Sequence, residues 1–279
     1  MTLVTQEEVD IYRRDGVVCL RQRFERKWID LLAEGIDANL RNPSPLFADN
    51  PSPDGMGHYY EDTWVWKKFP QFEQFVRQSP AGAIAGFLMG ARRVNYIMDV
   101  WLWRTAGTIA RAPWHHDISY LDLDGTMGTL WVPLDHVDKS SSISFVRGSH
   151  LWNKLFLRVW FINHEVDGEP GWVNGQYYEY PPDIDHHPQD YDLVSFEMEP
   201  GDCLMFDLRT LHGFQRDVRP ARSVRRFTLR MAAENGVFRH RGDWARRERE
   251  IIESAGHREG DSLCSEFFPT LWEAGKLDE

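Results

Sequence analysis

Cysteine is scarce in this sequence, and long apolar runs are missing altogether. Three cysteines, Cys19, Cys203 and Cys264, are scattered through 279 residues. Their number is odd and no two have Cys-x-x-Cys spacing, which excludes a disulfide framework and a thiolate zinc site and fits a reducing compartment. No stretch approaches the roughly 20 apolar residues that a membrane-crossing helix needs. Met1 to Asp15 is polar and lacks the apolar segment of a secretory signal. Cations are also in deficit: 32 Lys and Arg stand against 43 Asp and Glu, a formal net charge of -11. That balance argues against nucleic acid or an anionic membrane surface as the main partner, because both attract basic patches. No internal repeat and no low-complexity run interrupts the chain. The expectation is a cytoplasmic monomer or homodimer whose partner is a small molecule.

What is present is enough for a large core. Hydrophobic residues make up 42% of the chain and 12 of them are Trp, a density that suits a ligand cavity with aromatic walls as well as ordinary packing. Thr5-Gln6-Glu7-Glu8 has the form of a capping box and predicts a helix to about Arg14, ended by Gly16. A strand is expected at Val17–Leu20 and a second helix from Lys27 to Leu40, where apolar residues recur at helical period. Asn42 to Gly57 reads as a loop, Phe72 to Val76 as a short helix, and Ser79-Pro80 as the start of a helix to about Met89, with Ser79 as its cap.

From Val94 the pattern changes to short β-prone runs: 96–103, 114–120, 128–134, 142–146, 194–198, 203–208 and 227–233. Strands at this spacing predict a sandwich or barrel. Residues 152–192 break the series. They are rich in Trp and Tyr, and an insertion this long is expected to be a lid or a binding loop. The tail from Trp244 to Ile252 is expected to be a solvated amphipathic helix without a functional role. One domain over 1–279 is expected, with a lead-in to residue 93, a β core over 94–235 and a tail over 236–279.

The chemistry concentrates in Arg111-Ala112-Pro113-Trp114-His115-His116-Asp117. If this stretch is a strand, His115 and Asp117 project from the same face. An imidazole and a carboxylate side by side fill two positions of a metal ion, and a further His completes the 2-His-1-carboxylate set that binds Fe(II) with open positions. A second His-x-Asp pair, His136 and Asp138, closes a strand and leads into Lys139-Ser140-Ser141-Ser142, so it reads as turn chemistry. The third ligand is expected at His212, at the end of a strand and followed by Gly213; His150 in Gly148-Ser149-His150 is its competitor. Beyond His212 come several arginines, and a guanidinium fork is the best holder of a co-substrate carboxylate. Arg225 is the first choice, with Arg222 and Arg226 as the alternatives.

In this order the motifs resemble the phytanoyl-CoA dioxygenase family of non-haem Fe(II)/2-oxoglutarate oxygenases. Trp66-Lys67-Lys68-Phe69-Pro70-Gln71-Phe72, Ser79-Pro80 and Leu88-Met89-Gly90 are similar to the family's helical lead-in. Pro113-Trp114-His115-His116-Asp117 resembles its Pro-Trp-His-Gln-Asp signature, with His116 in the Gln place, and Phe145-Val146-Arg147-Gly148-Ser149-His150 resembles its Val-Pro-Gly-Ser-His segment. Gly201-Asp202, His212-Gly213 and Arg225-Arg226 follow in order. The resemblance implies a mostly β chain with flanking helices around a double-stranded β-helix, the cupin-like jelly roll. It implies iron at His115, Asp117 and His212, 2-oxoglutarate on Arg225 beside Trp131, O2 as the oxidant, and hydroxylation of a small organic molecule with release of succinate and CO2. Related halogenases carry a small residue where this chain has Asp117, so the carboxylate favours hydroxylation. Three departures are Ser140-Ser141, in place of Asn-Gly, Phe214, in place of a small residue after His-Gly, and a His212–Arg225 interval slightly longer than usual, which bears on which Arg is used. His116, Tyr120, Tyr59, Tyr60 and Trp64 are the candidates for the substrate wall. The competing expectations are a non-catalytic jelly roll that binds a ligand, and a metal-dependent oxygenase that does not use 2-oxoglutarate.

Overall fold

Thr5 closes the first helix as its sequence predicts: its hydroxyl accepts from the Glu8 N–H, and the Glu8 side chain accepts from the Thr5 N–H. Such a cap stabilises a helix by about 1 kcal/mol. The helix, α1 (Gln6–Asp15), stops at Gly16, whose φ of 76° is left-handed and open to glycine at no steric cost. The computed structural model describes residues 2–161, 163–216 and 218–276. Helices α2 (Arg26–Arg41), α3 (Pro70–Gln78) and α4 (Ala81–Met89) follow. Pro80 rather than Ser79 is the residue that precedes α4, while Ser79 Oγ still accepts from the Ala81 N–H.

The strands used below are β1 (Val17–Leu20), β2 (Ala48–Pro51), β3 (His58–Thr63), β4 (Arg93–Arg104), β5 (Met127–Pro133), β6 (Ser144–Val146), β7 (Leu193–Ser195), β8 (Cys203–Asp207), β9 (His212–Gly213), β10 (Val224–Ala233) and, after helix α5 (Arg246–Ser254), β11 (Thr270–Glu273). An eight-stranded antiparallel sheet runs β1-β8-β5-β10-β4-β3-β2, with β11 paired to the first residues of β4. A three-stranded antiparallel sheet, β7-β6-β9, faces it. Two antiparallel sheets enclosing a core are the layers of a jelly roll, with helices on the outer face.

Period-2 alternation divides the large sheet. On β10, Phe227, Leu229 and Met231 join the core beneath the helices, which also takes Phe72, Phe75 and Ile36. The opposite face, with Met98, Val100, Leu102 and Trp131, meets a second core that includes Phe145 of the small sheet. Arg226, Thr228 and Arg230 share that second face, and this places polar groups at the centre of the molecule.

Several boundaries differ from expectation. The lead-in supplies the expected β1 to the large sheet, and β2 and β3 with it, while the tail supplies β11. Strand β2 lies within the expected Asn42–Gly57 loop. Residues 114–120 are not a strand. His115 forms an isolated bridge, and Asp117–Tyr120 is a turn of 3-10 helix. The tail helix α5 is not merely solvated, since Glu248 and Ile252 are buried. Within 152–192 lies a small sheet of Leu155–Phe156, Gly171–Val173 and Gln176–Glu179, whose Trp172 and Tyr177 are exposed.

Candidate metal centre

His115 and His212 come from segments nearly a hundred residues apart, yet they pair as one rung of an antiparallel ladder. The His115 N–H donates to the His212 carbonyl at 2.9 Å, and the His212 N–H donates to the His115 carbonyl at 2.8 Å. Gly213 permits the approach: a Cβ there would meet the Pro113 carbonyl oxygen at 2.8 Å. Each imidazole sets Nδ1 against a backbone carbonyl, His115 with Pro113 at 2.7 Å and His212 with Thr210 at 2.8 Å. Donation there leaves each Nε2 as a lone pair free for a metal.

The 3-10 turn brings Asp117 back between the rings, so the geometry that a strand was expected to provide arises from a turn. Asp117 Oδ1 lies 3.5 Å from His115 Nε2 and 3.7 Å from His212 Nε2. One ligand atom from each residue falls within 4.8 Å of the others, and all three side chains are buried. Arg230 holds the carboxylate by two bonds, Nε to Oδ2 at 2.9 Å and Nη2 to Oδ1 at 3.0 Å, and the Thr129 hydroxyl donates to Oδ2 at 2.8 Å. Burial opposes ionisation of Asp117, but the Arg230 charge outweighs it and holds its carboxyl well below the usual range. Burial, with the neighbouring His115 charge, lowers His212 to about 3. A neutral imidazole and an ionised carboxylate are the protonation states that metal ligands require, so this donor set fits Fe(II).

The cluster opens into a cavity of about 230 Å³ on the concave face of the large sheet. Registers order its floor into rows. Phe206, Thr129, Arg230 and Met98 are successive partners across β8, β5, β10 and β4. Trp131, Thr228, Val100 and Thr63 form a second row, and Arg226, Leu102, Glu61 and Ala48 a third. The roof comes from Tyr120, the insertion residues Arg158, Trp160 and Phe161, and α5 with Arg247 and Glu248. Tyr120 and Phe161 meet the His115 ring edge-on, with centroids at 5.2 and 4.9 Å.

Among the expected site residues, His115, Asp117 and His212 converge, and Trp131, Tyr59 and Tyr120 line the cavity. Arg225 does not. It faces the other way and grips Asp135 through two bonds, at 3.0 and 2.9 Å. Arg226, one residue on, points into the cavity, because adjacent strand residues take opposite faces. Arg222 is exposed. Tyr60 is also on the far side, against Phe47 and Trp103. Trp64 packs beside Phe267 and donates to the Ile97 carbonyl, and is absent from the cavity wall. His116 is buried away from it, with Nε2 accepting from the Phe156 N–H, and burial lowers it to about 3. His150 bonds the Arg13 carbonyl, outside the cluster, and His136 bonds Asp138 and Glu199 in a turn.

Sequence reasoning missed Arg230, Thr129, Glu61, Arg104, Arg158 and Glu248. A period-2 signal was available for two of them: Arg230 shares a strand face with Arg226, and Glu61 with Tyr59. Arg158 and Glu248 carried none, since an insertion and a tail helix reach the cavity only through the folded chain.

No curated protein sequence matches this chain. Among solved structures, the epimerase SnoN in complex with Fe3+, alpha ketoglutarate and nogalamycin RO has a similar fold, with a TM-score of 0.71 at 18% identity over 96% of this chain and 98% of that one. The alpha-ketoglutarate-dependent carbocyclase SnoK from nogalamycin biosynthesis has a TM-score of 0.71 at 18% identity, over 96% and 97%. EctD from S. alaskensis with 2-oxoglutarate and 5-hydroxyectoine has a TM-score of 0.60 at 15% identity, over 83% and 77%. The family model described as phytanoyl-CoA dioxygenase matches residues 12–218, a span that contains His115, Asp117 and His212. The chain therefore belongs to the phytanoyl-CoA dioxygenase family of Fe(II)- and 2-oxoglutarate-dependent oxygenases.

Proposed function

We propose that His115, Asp117 and His212 hold the iron, and that Arg226, backed by Arg104, receives the far carboxylate of 2-oxoglutarate beside Trp131. Arg226 thereby takes the role expected of Arg225. When bound, iron and its co-substrate supply O2 activation coupled to decarboxylation to succinate and CO2, with hydroxylation of a small organic molecule.

The observation that carries this reading is a pair of buried guanidiniums without an anion. Arg226 donates to the Tyr59 hydroxyl and Arg104 to the Val218 carbonyl. Neither makes an ion pair among the described residues, while Arg226 Nε and Arg104 Nε and Nη1 are buried without a partner. Both lie over the Phe214 ring, at 5.2 and 4.6 Å. Burial, and then the charge of Arg226, lowers Arg104 to about 10. Buried charges left uncompensated cost several kcal/mol each. A carboxylate in this position would satisfy the orphan donors in charge-assisted bonds. Phe214, which lacks a hydroxyl for the co-substrate, serves as the ring beneath the two cations.

In this reading Arg230 and Thr129 orient Asp117, the backbone rung orients the two imidazoles, and Tyr120 and Phe161 screen His115 from water. Asp117→Ala abolishes hydroxylation. The separating experiment follows the Fe(II) absorption band on addition of 2-oxoglutarate. We expect the band to change in wild type and in Arg225→Ala, to stay unchanged in Arg226→Ala, and to be missing in His212→Ala because iron does not bind. A normal response from Arg226→Ala would sink the assignment. The reading extends to one domain over 1–279, in a cytoplasmic monomer or homodimer that engages neither nucleic acid nor membrane. It is supported by β1 and β11 joining one sheet, by free cysteines and by the net charge. No helix among the described residues is long and apolar enough to cross a membrane.

A further inference from the structure

Strand β3 turns Tyr59, Glu61 and Thr63 toward the cavity, and Glu61 is the odd one among its charges. Asp117 is matched by Arg230, and Glu248 by Arg247 at 2.6 Å. The Glu61 side chain has no hydrogen bond and no ion pair among the described residues. Burial raises its carboxyl, against the pull of Arg247, Arg226, Arg230 and Arg158. Glu61 is half-buried, so its carboxylate stands open to the cavity as an unshared acceptor for a donor on a ligand.

We propose that Glu61 selects the substrate, and that the substrate is a neutral ring compound bearing hydroxyl groups, one of which donates to the Glu61 carboxylate. The proposal rests on the iron and 2-oxoglutarate reading above. Charge decides the class of donor. Four arginines (158, 226, 230 and 247) and three carboxylates (61, 117 and 248) line the cavity, an excess of one positive charge. A divalent metal and a dicarboxylate added together leave that excess unchanged. A cationic amine meets the positive excess, and an anion meets Glu61. A hydroxyl donor meets neither penalty. The ring is suited by Trp160, 40% exposed with Arg158 stacked on it at 4.1 Å, and by the apolar floor of Val100 and Leu102. Glu61 and Arg226 flank Leu102 in one cross-sheet row, so the substrate anchor lies two strands, about 10 Å, from the co-substrate anchor. Glu61 thus binds the substrate at a point apart from the reacting atoms.

The test uses the full chain loaded with Fe(II) and 2-oxoglutarate under nitrogen, and reads quenching of tryptophan fluorescence by matched probes. These are phenyl glucoside (neutral), phenyl glucosaminide (cationic), phenyl glucuronide (anionic) and 2-phenoxytetrahydropyran (without hydroxyls). We expect the glucoside to bind about tenfold or more tightly than the others, and Glu61→Ala to lose about tenfold of that affinity. Glu61→Gln, which keeps an acceptor of the same shape, should lose less. The 2-oxoglutarate effect on the Fe(II) band should be unaltered in both variants, which also shows that they fold. Failure of that band to respond in wild type overturns the iron and 2-oxoglutarate reading instead. Absence of glucoside binding, preference for a charged or hydroxyl-free probe, or equal glucoside affinity in wild type and Glu61→Ala overturns the role of Glu61.

Discussion

His115 and His212 exchange both of their main-chain hydrogen bonds, at 2.9 and 2.8 Å, and their ring centroids stand 4.2 Å apart. The backbone therefore fixes the separation of the two imidazoles before any metal arrives. Removing one side chain leaves the rung intact. We expect apo His212→Ala to fold, and Fe(II) at about 100 times its dissociation constant to stabilise wild type by about 2.7 kcal/mol and the variant not at all. Thermal melts with and without Fe(II) read this directly. An equal metal-induced shift in both proteins would remove His212 from the ligand set.

Arg225 and Arg226 are neighbours with opposite duties. Arg226→Ala should raise KM for 2-oxoglutarate by about tenfold to a hundredfold, since a charge-assisted bond contributes about 1.5–3 kcal/mol. Arg225→Ala breaks the partly exposed pair with Asp135, worth about 1 kcal/mol of stability, and should leave KM unchanged. Steady-state succinate release on both variants separates the two roles.

Arg230 clamps Asp117 from behind. Arg230→Ala leaves the carboxylate with Thr129 alone and free to rotate. Metal affinity or activity should fall by about tenfold to a hundredfold, the usual range for groups that orient a ligand. Titration with Co(II), whose visible band reports the ligand set, gives the affinity without turnover.

His116 gives the fold an acid sensitivity. Burial lowers its folded-state value to about 3 from an ordinary 6.5. A depressed value means that stability is fully present above pH 6.5 and is lost as pH falls toward 3, because the unfolded chain takes up the proton first. The slope is at most about 1.4 kcal/mol per pH unit. His116→Gln should flatten denaturation midpoints across that window. Parallel curves for wild type and variant would show that the imidazole does not titrate as described.

The convergence of His115, Asp117 and His212 was legible in the sequence because a short motif and one later His-Gly carry them. The reason given for His115 and Asp117 was partly wrong: a bridge followed by a 3-10 turn, rather than a continuous strand, brings them together. Arg225 faces Asp135 and its neighbour Arg226 the cavity, since in a strand one residue is a change of face. Tyr60 failed for the same reason, since Tyr59 and Glu61 took the inward positions. Strand β2 lay hidden in a stretch rich in Pro, Asn and Ser, because its pairing with β3 overrides weak local preference. Glu248 could not be read from its helix, as the contact that buries it comes from Arg158 in the insertion.

The division of labour between strands has an evolutionary consequence. The His115–Asp117–His212 cluster draws on β9, the turn at Asp117 and, through Thr129 and Arg230, the inner strands β5 and β10, which are held on both sides. Glu61 lies on β3, one strand in from the edge strand β2, whose Asn50 also lines the cavity. An edge strand has a single neighbour to disturb, so chains sharing this scaffold can reshape the cavity wall along the β2–β3 margin while β5 and β10 keep both of theirs.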